Sequence, residues 1–219
     1  MRLYLKLTRN KKIIPFNYQP YLTGALHKWL GSGNDKHDSL SLYSFSWLLN
    51  VEAKTKGINL KIDSYFFISA HEDSLIKLIL KGILIDPSVC FGSSVSDVQI
   101  EENREFSVQK KFLVASPVFI KRRFSNNEKH ITYDDNRSSE FLTETLKKKL
   151  AISNLSTEDL NVEFDTTYSN PQTKIIKYKE VNNRVNICPV IISGTPEQLT
   201  FAWNVGVGNS TGIGFGALK

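Results

Sequence analysis

Four histidines, His27, His37, His71 and His130, are the side chains best suited to move protons near neutral pH, because imidazole titrates there without help from its surroundings. His27 lies about 140° from Leu22 on a helical wheel, off the apolar stripe of Leu22, Ala25, Leu26, Trp29 and Leu30. His37 sits in Asn34-Asp-Lys-His-Asp38, a charged polar loop that leaves it exposed or in a cleft. Two imidazoles facing one phosphate suit a metal-free cut of RNA. A base takes the 2′-hydroxyl proton, the oxygen attacks the adjacent phosphate, and an acid protonates the leaving 5′-oxygen. The alternative is two unrelated surface histidines, and residue chemistry alone favours it. His71 precedes a helix and reads as structural or exposed. His130, in the charged hairpin that begins at Asn126, reads as solvated. The histidines and scattered acids show no ligand spacing for a metal, so no metal or cofactor is expected. Cys90 and Cys188 lack a Cys-x-x-Cys pattern and read as buried apolar residues.

A second candidate is the tail from Asn204 to Gly216, in which Gly206, Gly208, Gly212, Gly214 and Gly216 recur at alternate or near-alternate positions around Asn209, Ser210 and Thr211. Glycines permit positive φ and close backbone approach, and successive free N–H groups can cup an anion such as phosphate. A Walker loop is excluded, because no Lys followed by Ser or Thr closes the run. A dinucleotide loop is excluded too, because the run follows a helix start rather than a strand and leaves no room for the helix and second strand that unit needs. A turn plus a glycine-marked strand is the plain alternative. The net charge of +6 favours polyanion partners. From Lys110 onward 15 Lys and Arg stand against 11 Asp and Glu, compared with 13 and 11 before it. Lys121-Arg122-Arg123 reads as a solvated turn or a phosphate contact. Lys147-Lys148-Lys149 suffices as a complement to a helix dipole.

These residues must be held by alternating strands and helices. Arg2 to Thr8 alternates apolar and polar and reads as a strand rather than a signal peptide. A helix is expected from Tyr18 to Leu30, strands over Leu42 to Glu52 and Ile58 to Ala70, and a helix from Asp73 ended by Gly82. Strands near Ile83 to Ile85 and Val95 to Glu101 close the unit. The second half repeats the plan less clearly. It has a strand over Lys111 to Arg123, a helix from Ser138 through Leu150, and long strands near Asn161 to Tyr168 and Lys174 to Ser193. A capped helix start follows at Thr195-Pro-Glu-Gln198. The class is α+β, with two tandem ferredoxin-like (β-α-β-β-α-β) domains over 1–109 and 110–219 and a C-terminal glycine-rich loop. No apolar run spans a bilayer, so the expected location is the cytoplasm, with no membrane contact.

The run Gly212-Ile-Gly214-Phe-Gly216, preceded by Gly206-Val-Gly208 and a polar stretch, resembles the C-terminal loop of the Cas-six family of CRISPR-associated endoribonucleases. Tyr21-Leu-Thr-Gly24, Asp38 through Tyr43-Ser-Phe45-Ser and Ser116-Pro117-Val118 are similar to further family motifs and fall in the family's order. The resemblance spans nearly the whole chain. It implies two ferredoxin-like domains and a metal-independent endoribonuclease that cuts repeat RNA in pre-crRNA, leaving 5′-hydroxyl and 2′,3′-cyclic phosphate ends. His37 falls at the family's catalytic histidine and His27 at its second catalytic position. The family's frequent lysine aligns with Ser41, a departure for which Lys28, Lys36 or a residue of the second domain could substitute in supporting the transition state. The glycine-rich loop with Lys121, Arg122 and Arg123 would hold the RNA. Repeat RNA is the implied partner, with effector-complex subunits and a second copy of the chain as further candidates. The rival expectation is a non-catalytic guide-RNA-binding subunit of an effector complex.

Overall fold

The computed structural model describes residues 1–31, 40–125 and 127–219. The N-terminal half runs β1 (Arg2–Leu7), α1 (Gln19–Leu30), β2 (Tyr43–Phe45), β3 (Leu49–Lys54), β4 (Gly57–Ala70), α2 (Asp73–Ile85), β5 (Ser88–Cys90) and β6 (Ser93–Glu101). Its sheet has the order β2-β4-β1-β6-β5, with β3 also on β4, and the mapped pairs are antiparallel. The sheet order places β1 centrally, between β4 and β6, as the ferredoxin-like plan requires. Leu3, Leu5 and Leu7 point from β1 into a core shared with Leu22, Leu26 and Trp29 of α1 and Ile76, Ile79 and Ile83 of α2.

The C-terminal half runs β7 (Gln109–Phe112), β8 (Lys121–Phe124), β9 (Asn127–His130), α3 (Ser138–Ile152), β10 (Asn161–Phe164), β11 (Gln172–Tyr178), β12 (Val181–Ile187), β13 (Val190–Ser193) and α4 (Pro196–Val205). A single 3₁₀ turn, Thr211–Ile213, lies in the tail. The sheet order is β10-β13-β7, and a bridge from Val114 to Leu218 sets the chain's last residues beside the segment after β7. The two halves therefore share one strand order around separate cores. The α+β class with two ferredoxin-like units holds.

Several expected elements break where backbone chemistry demands it. Ile83 to Ile85 is the end of α2, not a strand, because Ile76, Ile79 and Ile83 keep helical spacing. Gly82 does not stop that helix; a Cβ there would fall 2.4 Å from the Trp29 carbonyl oxygen, so it is the point where α2 crosses α1 closely. The strand expected over Lys111 to Arg123 ends at Phe112. Pro117 has no N–H for a ladder, and β8 resumes only at Lys121. Leu42 to Glu52 divides into β2 and β3 as Trp47 N–H turns to the Ala115 carbonyl of the other half. Lys174 to Ser193 divides at a turn where Lys179 takes φ 52° and again at Pro189.

Candidate active site and nucleic-acid interface

The tail begins where α4 ends. Thr195 and Gln198 form a reciprocal capping box with Pro196 in the first turn, which fixes the helix start. Gly206, at φ 70°, turns the chain out of the helix. Beyond it the backbone folds back on itself. Val207 N–H donates to Gly216 O, Asn209 N–H to Phe119 O and Gly216 N–H to Pro117 O. Gly206, Gly208, Gly212 and Gly214 are buried. A Cβ at Gly208 would lie 2.4 Å from Phe119 O, and one at Gly214 2.7 Å from the Phe45 ring. The glycines let backbone pack on backbone, and the N–H groups of Val207, Asn209 and Gly216 are turned inward. Asn209 Oδ1 accepts from Lys121 N–H at 2.8 Å. Ser210 alone of the tail's polar residues stands exposed, at φ 61°.

Gly216 is the tightest of these positions. Its φ is +65° and a Cβ would lie 1.9 Å from Val207 O. Gly216→Ala is expected to destabilise the fold by roughly 2–4 kcal/mol, through backbone strain and a clash that no side-chain rotation relieves. A urea titration should show a lower midpoint at unchanged slope.

The tail docks on the N-terminal half at four points. Gln19 Nε2 of α1 donates to Ile213 O at 2.5 Å, and Trp47 Nε1 to Gly214 O at 2.9 Å. Tyr43 OH donates to Gly212 O at 3.3 Å, and Ser44 Oγ to Asn204 O at 3.0 Å. Gly212 faces Ser41, whose Oγ would lie 2.2 Å from a Cβ at that position. Burial pushes the Tyr43 phenol up, with the Ser41 hydroxyl opposing the shift. Beside the tail, a 270 Å³ slot opens between the halves, lined by Phe16, Tyr18, Gln19, Trp47, Ile175 and Lys177 among others. Gln19, Thr23 and His27 follow at i, i+4 and i+8 along one flank of α1. His27, half-buried, is thus about 12 Å along the helix from the tail's contact at Gln19. His37 and Lys36 lie outside the described residues.

Other expected residues are committed elsewhere. Lys28 points away from the flank of His27, and its Nζ bonds Asp86 Oδ2 at 2.7 Å, Ser88 O at 2.6 Å and Ser88 Oγ at 2.7 Å. These contacts anchor α1 to β5 and hold the Asp86 carboxyl well below the usual carboxylate range. Arg122 is likewise engaged within its own half. Its guanidinium bonds Phe141 O at 2.7 Å, Thr145 Oγ1 at 3.0 Å and Glu144 at 3.2 Å, and lies over the Phe141 ring. Lys121 pairs with Glu128 at 3.0 Å, which leaves Arg123 exposed and without an ion pair among the described residues. His130 is not simply solvated: its Nδ1 accepts from Arg184 N–H at 3.1 Å and its ring meets Phe119 edge-on. Lys149, expected to complement a helix dipole from the surface, is 2% exposed. Among the described residues no cluster of three or more His, Cys, Asp or Glu could hold a metal, and no helix is long and apolar enough to cross a membrane.

Sequence reasoning missed Gln19, Trp47 and Lys149. A helix-start glutamine, a strand tryptophan and one lysine of a basic run carry no local sign of a distant partner.

Comparison with known proteins agrees with this architecture. The family model described as CRISPR associated protein Cas6, C-terminal, matches residues 100–219. CRISPR-associated endoribonuclease Cas6 1 of Methanocaldococcus jannaschii is 26% identical over 236 residues, covering 99% of this chain and 91% of the relative. A solved structure described as a Cas6-related gene product from Pyrococcus furiosus superposes with a TM-score of 0.84 at 22% identity, covering 100% of this chain and 97% of that one. Another, described as a RAMP protein binding different RNA substrates, gives a TM-score of 0.83 at 20% identity, covering 100% and 98%.

Proposed function

This chain belongs to the CRISPR-associated Cas6 family, and from that premise we propose that it is an endoribonuclease that cuts repeat RNA in CRISPR precursor transcripts without a metal. The observation that carries the reading is the docking of the tail on both α1 and the start of β2. Those two stretches flank the segment that holds His37, and α1 itself carries His27.

In this reading His27 and His37 are the general base and general acid, in an order left open. The base removes the 2′-hydroxyl proton and the 2′-oxygen forms a bond to phosphorus. The bond from phosphorus to the 5′-oxygen breaks, and the acid protonates that oxygen. The products are a 2′,3′-cyclic phosphate and a 5′-hydroxyl. Ser210 at the exposed tip of the tail and Arg123 on β8 are the groups of the C-terminal half offered to phosphate oxygens. Recognition of a folded RNA by its shape and phosphates needs such groups and no readable base code.

Incubating labelled repeat RNA with the protein in EDTA tests the reaction. The expected result is one cut with 5′-hydroxyl and cyclic-phosphate ends, abolished by a 2′-deoxy sugar at the cut site. Cutting that appears only when a divalent cation is added back would overturn the metal-free mechanism. Tight binding without cutting under either condition would favour a guide-RNA-binding subunit instead.

A further inference from the structure

Lys149 is sealed inside the C-terminal half, 2% exposed, and forms no ion pair with any described residue. Its Nζ donates to Val205 O at 3.0 Å and to Thr211 Oγ1 at 2.9 Å. Val205 closes α4, so the ammonium meets the helix end whose last carbonyls lack partners and carry the negative end of the dipole. Thr211 opens the 3₁₀ turn of the tail. The next residue, Gly212, packs on Ser41 and accepts from Tyr43. A chain of contacts thus runs from α3 through the tail to the start of β2.

Charged groups on the surrounding elements are turned elsewhere. On α3, Lys148 pairs with Glu144, which also meets Arg122. Glu163 of β10 is exposed, and Glu197 sits in the first turn of α4, at its opposite end. The tail from Gly206 to Leu218 has no titratable side chain. Nothing on these elements compensates the buried charge except the helix end and one hydroxyl.

We propose that Lys149 is a positioning residue for the reacting centre: its ammonium fixes the turn from Thr211 to Gly214, and through it the contact of Gly212 with Ser41 and Tyr43. This rests on the endoribonuclease reading above. Burial pulls the Lys149 pKa down to about 7, so the group loses its proton across the neutral range. Its charge-assisted bonds then give way to weaker neutral ones, and the turn is held more firmly on the acidic side. Overall stability runs the other way. The unfolded lysine, with a pKa near 10.4, binds more protons between the two values, so stability rises with pH through that window. The full burial cost is present below it.

Trp47 reports the seating of the turn independently of cleavage, because its indole N–H donates to Gly214 O. In ¹H–¹⁵N spectra of the intact protein, the Trp47 indole resonance is expected to shift with a midpoint at about 7. Lys149→Met should lose that midpoint. In single-turnover cleavage, Lys149→Met should be slower by about tenfold at neutral pH, lack the alkaline limb set by Lys149, and bind repeat RNA as wild type does. Thr211→Val, a milder change, should slow cleavage in the same direction. A Trp47 resonance that titrates identically in Lys149→Met, or full-rate cleavage by that variant when folded, overturns the proposal. If the wild type does not cut RNA at all, the endoribonuclease reading fails, and the Trp47 titration still decides whether Lys149 seats the turn.

Discussion

Replacing His27 with alanine is expected to slow cleavage of repeat RNA by about 10²–10⁴-fold, the usual worth of one positioned proton transfer, while leaving RNA affinity nearly unchanged. Affinity rests on phosphate contacts spread over cations and backbone, and one imidazole adds little to it. His37→Ala should lose a similar factor. The double variant should fall no lower than the slower single variant, because groups that act as one unit are not additive. The pH profile then separates their roles. The wild-type profile loses its acidic limb with the base and, with the acid, the part of its alkaline limb that Lys149 does not set. Single-turnover rates at saturating protein keep chemistry apart from product release. His27→Ala cutting at the wild-type rate would remove His27 from the mechanism and leave His37 to find another partner.

The sequence exposed different parts of this protein unequally. Strands with strict alternation were legible: Leu3, Leu5 and Leu7 on one face of β1 predicted a half-buried strand. So was the capping box at Thr195 and Gln198, whose signal is confined to four residues. Breaks in strands were less legible, because a run rich in β-formers looks continuous until a proline or a partner on another strand divides it. The glycines of the tail were legible as special but not for their reason. The same residue type serves an open anion cradle or a backbone packed against backbone, and only the neighbours decide. Here the neighbours are Val207, Phe119 and Ser41, between 9 and 171 residues away. Charge was the least legible property. Lys147, Lys148 and Lys149 are identical letters, yet Lys149 alone turns inward. Arg2 likewise sits in the polar register of β1, where solvent is the natural expectation.

Arg2 is the residue whose loss should cost the fold most. It is 1% exposed. Its guanidinium donates to Ser69 Oγ at 2.6 Å, Trp203 O at 3.1 Å and Leu218 O at 2.8 Å. It lies between the Phe67 ring at 3.9 Å and the Trp203 ring at 3.7 Å. One side chain from the first strand thus ties β4 of its own half to α4 and the last residues of the other. Burial pulls its pKa down only to about 10, so it stays charged at neutral pH and the two rings supply part of its compensation. Arg2→Met fills most of the volume but leaves three acceptors unmatched. At about 1–3 kcal/mol for each buried group left unpaired, with losses that overlap, the expected destabilisation is roughly 3–5 kcal/mol. Arg2→Lys should recover little of this, because a point charge cannot span three acceptors or stack between two rings. Urea unfolding followed by tryptophan fluorescence measures the loss. If Arg2 couples the halves, the variant should also unfold over a broader range, with a smaller apparent slope as one half opens before the other. A variant with wild-type midpoint and slope would show that the remaining contacts between the halves suffice without it.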